Sequence, residues 1–273
     1  MLVALAQRGH NVVALARNAN AATVVSGLGA EVLGGDLDDP RGLDDAFRSS
    51  SAEALVNLAS LGFGHAPAIT AAAEEAGITR ALFVSTTAIF TTLPAASKAV
   101  RIAAEQAIEA SSMHTTIVRP TMIYGKPGDR NMSRLLRFLR RSTLVPLPGG
   151  GERLMQPVHV DDLAAFVVTA IESDAAIGQA FDVAGPEPLS LRQVVSAAAK
   201  AVNRRPVMVP VPLGPAIGAV RLYEALASRP RLKVEQLLRL DEDKAFDIGP
   251  ARSLGYSPRS FADGISAEAK LLR

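Results

Sequence analysis

Few side chains in this sequence could do chemistry, and their types narrow what that chemistry can be. Cysteine is absent, so disulfides, thiolate nucleophiles and cysteine-based metal sites are excluded. The four histidines, His10, His65, His114 and His159, lie far apart and lack the spacing of metal ligands, so no metal site is expected. His159, in Gln156-Pro157-Val158-His159-Val160-Asp161-Asp162, invites a general-base reading because imidazole titrates near neutrality. The plainer role is structural, orienting loops through hydrogen bonds, and we prefer it. Asp161 and Asp162 open the following helix and suit its N-terminal end better than acid catalysis. Gly149–Gly151 could suit phosphate, although three glycines between two strands more often form a plain turn. Ser85, Thr86 and Thr87 put three hydroxyls together where an apolar run ends.

These residues need a scaffold, and the chain has the means to build one. It has 273 residues, 48% of them hydrophobic and 21% charged, enough for one large α/β domain with or without a small appendage. Aromatics make up 4%, and Ala, Val and Leu dominate, as when buried parallel strands alternate with alanine-rich helices. A net charge of +2 gives no reason to expect a nucleic-acid partner. The densest basic run, Arg134 to Arg141, interleaves arginines with Leu135, Leu136, Phe138 and Leu139 at helical spacing, which reads as a solvated helix face. No apolar run reaches the ~18 residues of a membrane span. No signal-type segment is visible at the start. A cytoplasmic protein without a membrane partner is therefore expected.

Strands and helices alternate through the first two-thirds. Strands are expected at 11–16, 31–34, 54–58, 81–85 and 115–119, with helices at 21–28, 41–48, 66–76 and 97–110 between them. Asp38-Asp39-Pro40 opens one helix and Gly77 closes another. This order predicts a doubly wound parallel sheet of Rossmann type, with ligands at the carboxyl ends of its strands. Arg17, Asp36, Asn57–Ser60, Ser85–Thr87 and Pro120–Tyr124 stand there. After Gly125 the pattern is broken by Pro127, Pro146, Pro148 and Gly149–Gly151. Residues 1–125 are read as the dinucleotide-binding core. Residues 126–273 are read as a segment that returns to the sheet and forms a smaller substrate lobe. That segment is expected to hold strands at 154–158, 180–183 and 207–211, and helices at 161–173, 190–203 and 215–227.

Four segments then become recognisable in order: FVSTTAIF at Phe83–Phe90, SKAVRIAAEQAI at Ser97–Ile108, TIVRPTMIYG at Thr116–Gly125 and QPVHVDDLA at Gln156–Ala164. Together they resemble extended short-chain dehydrogenases, in particular the NAD-dependent epimerase/dehydratase group that acts on nucleotide sugars. The resemblance covers nearly the whole chain. It implies that the end of the second family strand, here Ala16-Arg17-Asn18, meets the adenosine ribose. An arginine there, in place of an acid, suits a 2′-phosphate, so NADP is expected, with NAD the alternative. Asp36 and Leu37 would contact the adenine. Asn57, Leu58 and Ala59 would pass beneath the phosphates and ribose. Ser85, Pro120, Thr121 and Ile123 would line the nicotinamide. Thr87, Tyr124, Asn131, Gln156 and His159 would face a small-molecule substrate. The resemblance also allows a homodimer.

At the catalytic positions the chain departs from the family. The family pairs a strand-end Ser or Thr with a Tyr-x-x-x-Lys whose tyrosinate is the base. The lysine holds the nicotinamide ribose and lowers the tyrosine pKa. Here Thr86 and Lys98 match the hydroxyl and the lysine, but the tyrosine position is Pro94, which cannot transfer a proton. Of the three tyrosines, Tyr124, Tyr223 and Tyr256, only Tyr124 belongs to a pocket-lining segment. The glycine-rich turn that normally follows a first strand is also absent. Met1–Gly9 resembles the later part of the helix after that turn, so an upstream piece of roughly fifteen residues, with its central strand and phosphate-binding loop, is expected. Two functions follow from the resemblance: an NAD(P)-dependent epimerase, dehydratase or reductase of a nucleotide sugar or similar hydroxyl or carbonyl metabolite, or a non-catalytic dinucleotide-binding protein.

Overall fold

The computed structural model describes residues 1–129, 131–227 and 233–272. The first half alternates as expected: α1 (Leu2–Gln7), β1 (Val13–Ala16), α2 (Ala19–Ser26), β2 (Glu31–Gly34), α3 (Pro40–Ser50), β3 (Ala54–Asn57), α4 (Ala66–Glu75), β4 (Arg80–Val84), α5 (Ala96–Glu109) and β5 (His114–Pro120). The small shifts from the expected bounds have local causes. Asn18 accepts a hydrogen bond from the Ala21 amide, which starts α2 earlier than its apolar residues suggest. Pro40 occupies the first turn of α3, where its missing N–H is harmless.

The main sheet has four parallel strands in the order β3-β4-β5-β10, the last being Ala180–Val183. Its strands are covered on both faces, and adjacent residues serve opposite cores. Leu82 and Val118 join Phe166, Val167 and Ile171 of α7 (Val160–Glu172) on one face. Phe83 and Ile117 join Leu43, Ile69 and Ile108 from α3, α4 and α5 on the other. This is the two-sided wrapping that near-continuous apolar strands require. β1 and β2 form a separate parallel pair that shares no ladder with the main sheet. Leu15 of β1 packs on the α3–α4–α5 core, while Met1 and Leu5 pack with Val56 and Val84 on the other. Leu55 and Val56 of β3 are only half-buried, whereas Ala81, Leu82 and Phe83 of β4 are fully enclosed.

The second half comprises β6 (Ile123–Tyr124), α6 (Met132–Arg141), β7 (Leu144–Pro148), β8 (Leu154–Met155), β9 (Val158–His159), α7, β10, β11 (Leu189–Ser190), α8 (Leu191–Ala201), β12 (Val207–Val211), α9 (Leu213–Leu226), α10 (Val234–Leu240), α11 (Gly249–Ser253) and α12 (Phe261–Leu271). The single strand expected at 154–158 is two. Pro157 interrupts it, so β8 pairs antiparallel with β11 while β9 runs parallel to β6. β7 was not expected, because Pro146 and Pro148 read as breakers. It tolerates them because, among the described residues, its only partner strand is β12. A smaller core, with Leu136, Leu139, Val194, Val195 and Ile265, joins α6, α8 and α12 into a lobe. α7 and β10 return to the main sheet, so the division near residue 125 marks a change of character along a chain that crosses back. Among the described residues no helix is long and apolar enough to cross a membrane, and no group of side chains is arranged to hold a metal ion.

Candidate functional site

Parallel register brings most of the expected residues to one edge. Ala16 pairs with Gly34, so Arg17 and Asp36 follow the strand ends of the β1–β2 pair; Asn57 pairs with Phe83, Val84 with Val118 and Val183 with Pro120, so Leu58, Ser85 and Thr121 follow the same ends of the main sheet. Arg17 is 67% exposed in its side chain, and its guanidinium lies 4.0 Å from the Asp36 carboxylate. Asn57 is buried and closes a tight turn, bonding the Ala59 amide and carbonyl at 3.2 Å each. That turn leaves Leu58 52% exposed. Gly35 passes so close to Leu15 that a Cβ would lie 2.5 Å from its Cδ1. An exposed cation, a carboxylate and apolar side chains left open at strand ends fit the mixture of phosphate, ribose and planar ring in a dinucleotide.

Of the three hydroxyls at the end of β4, two donate and one only accepts. Ser85 Oγ donates to Glu105, a buried acid on α5. Arg119 of β5 clamps the same carboxylate with Nε at 3.0 Å and Nη2 at 2.5 Å. Its guanidinium lies 5.5 Å from the ring centre of Phe90, which in turn packs on Phe246. Asp182, in register with Arg119, has its pKa raised by burial, opposed by the Arg119 charge. Thr86 caps the short turn that follows, accepting from the Ala88 amide at 3.2 Å, and Thr87 donates to the Pro120 carbonyl at 3.4 Å.

Lys98 sits in the first turn of α5, and its ammonium donates to the Thr91 carbonyl at 2.5 Å. Pro94 lies outside the helix, on the exposed loop before the Ala95 cap, so it presents no group toward the strand-end hydroxyls. Glu242, between α10 and α11, fastens that loop by accepting from Thr91 Oγ1 at 2.6 Å and from the Thr92 amide and hydroxyl at 2.7 Å each.

The residues expected to line the nicotinamide, Thr121 and Ile123, and those expected to face a substrate divide. Ile123 is exposed on β6, and Asn131 is exposed at the start of α6. Gln156 is buried with its amide occupied: Nε2 donates to the Gly185 carbonyl at 2.7 Å and Oε1 accepts from the Phe246 amide at 2.9 Å. Thr121 Oγ1 donates to the Gln156 carbonyl at 2.5 Å. Tyr124 is 2% exposed and packs between His159, Phe261 and Gly264. Its pKa is driven up by burial and by Asp162. His159 accepts from the Asp161 amide at 3.2 Å and so caps α7, and burial together with Arg259 lowers its pKa. Asp162 makes an ion pair with Arg259, which ties α7 to the start of α12, where capping was expected.

Two buried acids had no expected role. Glu105 was visible in its motif only as a neighbour of Lys98. The signal was a charged Arg119 inside the apolar strand TTIVRP, which demands a buried counter-charge. Glu268 of α12 is fully buried, accepts from the Gly125 amide at 3.1 Å and from Ser133 Oγ at 2.7 Å, and has its pKa raised to about 7 by burial and by Asp129.

Comparison with known proteins places this geometry in a family. A model described as NAD(P)H-binding matches residues 1–174. The Arabidopsis thaliana mitochondrial NADH dehydrogenase [ubiquinone] 1 alpha subcomplex subunit 9 is 28% identical over 64% of the chain, which spans 44% of that protein. The "Ceramide reductase" of Caulobacter vibrioides is 27% identical over 98% of the chain and 86% of its own length. In fold, the Thermus thermophilus UDP-glucose 4-epimerase in complex with NAD superposes with a TM-score of 0.71 at 18% identity, over 98% of this chain and 93% of that one. The Citrobacter triphenylmethane reductase complexed with NADP(H) superposes with a TM-score of 0.74 at 16% identity, over 97% and 94%. The chain belongs to the NAD(P)H-binding family, and it shares its fold with these solved structures.

Proposed function

We propose that the protein holds an NAD(P) dinucleotide along the carboxyl edge of its strands without carrying out the tyrosine-dependent chemistry of dehydrogenases and epimerases. The observation that carries this is the position four residues before Lys98. Pro94 stands there, outside the helix, and Tyr124, the tyrosine of the pocket-lining segment, is enclosed with its pKa driven upward. Bound NAD(P) would supply hydride transfer, but a reacting oxygen also needs a proton donor or acceptor within ~2.6–3.2 Å. Ser85, Thr86 and Thr87 are tied to Glu105, a turn amide and a carbonyl. The presence of Lys98 in the first turn of α5 supports a contact to the nicotinamide ribose once its ammonium leaves the Thr91 carbonyl, and the exposure of Arg17 supports NADP over NAD.

The second reading is a reductase or epimerase of a nucleotide sugar or another hydroxyl- or carbonyl-bearing metabolite. The retained hydroxyl row and Lys98 support it, as does similarity over nearly the full chain to a protein named as a reductase. Calorimetric titration with NADPH and NADH, followed by turnover assays on nucleotide sugars and long-chain ketones, separates the two. Dinucleotide binding with negligible turnover is expected. Robust turnover that survives Tyr124→Phe refutes the binding-protein reading. Failure to bind either dinucleotide refutes both.

A further inference from the structure

The arginine run of α6 has no use in the dinucleotide site. Arg134, Arg137 and Arg141 share one exposed face of the helix with Phe138, which is 44% exposed. α6 leads directly into β7, whose first residue, Leu144, is 53% exposed. Its register partner on β12, Val207, is 65% exposed, and the Val207 amide donates to the Thr143 carbonyl at 2.8 Å. Because β7 and β12 are parallel, both chains arrive at the same end of the ladder. Arg204 and Arg205 therefore approach it beside Arg141.

Two features set this surface apart from an ordinary solvated helix face. The first is the absence of counter-charge. No Asp or Glu stands between Asp129 and Glu152, or between Glu187 and Glu224. Elsewhere exposed arginines find acids, as Arg48 finds Glu75, Arg153 finds Asp241 and Arg239 finds Glu235. Among the described residues, Arg134, Arg137, Arg141, Arg204 and Arg205 make no ion pair or side-chain hydrogen bond. The second is the apolar side chains standing among the cations. An unpaired basic surface attracts any polyanion, but aliphatic Leu144 and Val207 gain nothing from a phosphate backbone. They do gain from leaving water for acyl chains.

We propose that the face formed by α6 and the paired starts of β7 and β12 docks on the surface of an anionic phospholipid membrane. The arginines meet lipid headgroups while Phe138, Leu144 and Val207 enter the interface. Association is peripheral, and it revises the expectation from sequence that no membrane is involved.

The test is flotation with vesicles of phosphatidylcholine alone and of equal parts phosphatidylcholine and phosphatidylglycerol. The protein is expected to float only with the anionic vesicles, and to be released by salt. Each arginine near such a surface is worth about fivefold in affinity, so Arg137→Gln, Arg141→Gln and Arg204→Gln together should weaken binding about a hundredfold. The replaced side chains are exposed, and circular dichroism checks that the fold is kept. Leu144→Ser with Val207→Ser should weaken binding while leaving all the arginines intact. No flotation with anionic vesicles, or flotation unaltered by the triple arginine variant, overturns the proposal. Unchanged affinity in the Leu144→Ser, Val207→Ser variant, or capture by a DNA duplex in place of vesicles, overturns the choice of a membrane.

Discussion

Glu268→Gln should make the protein more stable at alkaline pH and flatten its stability profile. The carboxyl is fully enclosed, accepts from the Gly125 amide and from Ser133 Oγ, and lies against Asp129, which bonds the same hydroxyl at 3.2 Å. Burial and the neighbouring carboxylate raise its pKa from 4.5 to about 7. The folded protein therefore keeps a proton on Glu268 that the unfolded chain has already released. Between those values the native state binds more protons, so stability falls as pH rises. The favourable contribution is fully present below about 4.5 and is lost by the time pH has passed 7. At ~1.4 kcal/mol per pKa unit, the loss across that window is about 3 kcal/mol. Glutamine keeps the shape, accepts from Gly125 and cannot ionise. The assay is thermal unfolding at pH 5 and pH 8. Wild type should lose roughly 5–10 °C between them through this group, and the variant should lose much less. A Glu268→Gln variant that is less stable than wild type at pH 8, or that keeps the wild-type slope, refutes the reasoning. The carboxylate would then be charged and favourably solvated by its two donors.

Glu105→Ala should destabilise by about 3–5 kcal/mol in denaturant melts, because it leaves the mostly buried Arg119 guanidinium unpaired; Glu105→Gln, which keeps the acceptor, should do less harm. Gly125→Ala should lose about 2–5 kcal/mol, since φ is +110° and the new Cβ would collide with the His159 ring at Nε2; an unchanged melting curve would mean that the loop moves freely. Arg17→Ala should erase a ten- to hundredfold preference for NADPH over NADH in calorimetry, the range expected of a charge-assisted contact of ~1.5–3 kcal/mol.

The sheet was legible because its strands are short apolar runs bounded by turn residues, and because burial on both faces leaves them no other pattern. The ends of the helices were less so. Asn18 and Pro40 set starts that periodicity alone places later. β7 was illegible for a physical reason: proline forbids a central strand and permits an edge strand, and only the topology says which one it is. Of the expected substrate residues, Gln156 and His159 were read from a motif, and both make hydrogen bonds to backbone that the motif does not reveal. One cross-links Gly185 to Phe246 and the other caps α7. A motif gives residue order; whether a side chain faces a pocket or a neighbouring backbone depends on contacts tens of residues away. Glu268 lies beyond the last helix expected from the sequence, 215–227, and the groups that make its environment unusual, Gly125, Asp129 and Ser133, are more than a hundred residues away in the chain.

The loss of the tyrosine and the state of its neighbours belong together. A serine that assists a proton transfer must be free to hand its hydrogen bond to a substrate oxygen. Here Ser85 donates to an acid that Arg119 holds in place with two nitrogens. To turn toward a substrate it would have to leave Glu105, disturbing a buried charge pair whose disruption is strongly unfavourable. Lys98, with no phenol to act upon, is anchored on the Thr91 carbonyl, in a loop that Glu242 fastens from the far lobe. These contacts tie the hydroxyl row and the loop before α5 into the packing between sheet and lobe. Arg17, Asp36 and Leu58, by contrast, remain open at the strand ends. The same edge keeps Arg17, Asp36 and Leu58 accessible while Ser85 is held on Glu105 and Lys98 on the Thr91 carbonyl, an arrangement that supports the proposal of cofactor binding without turnover.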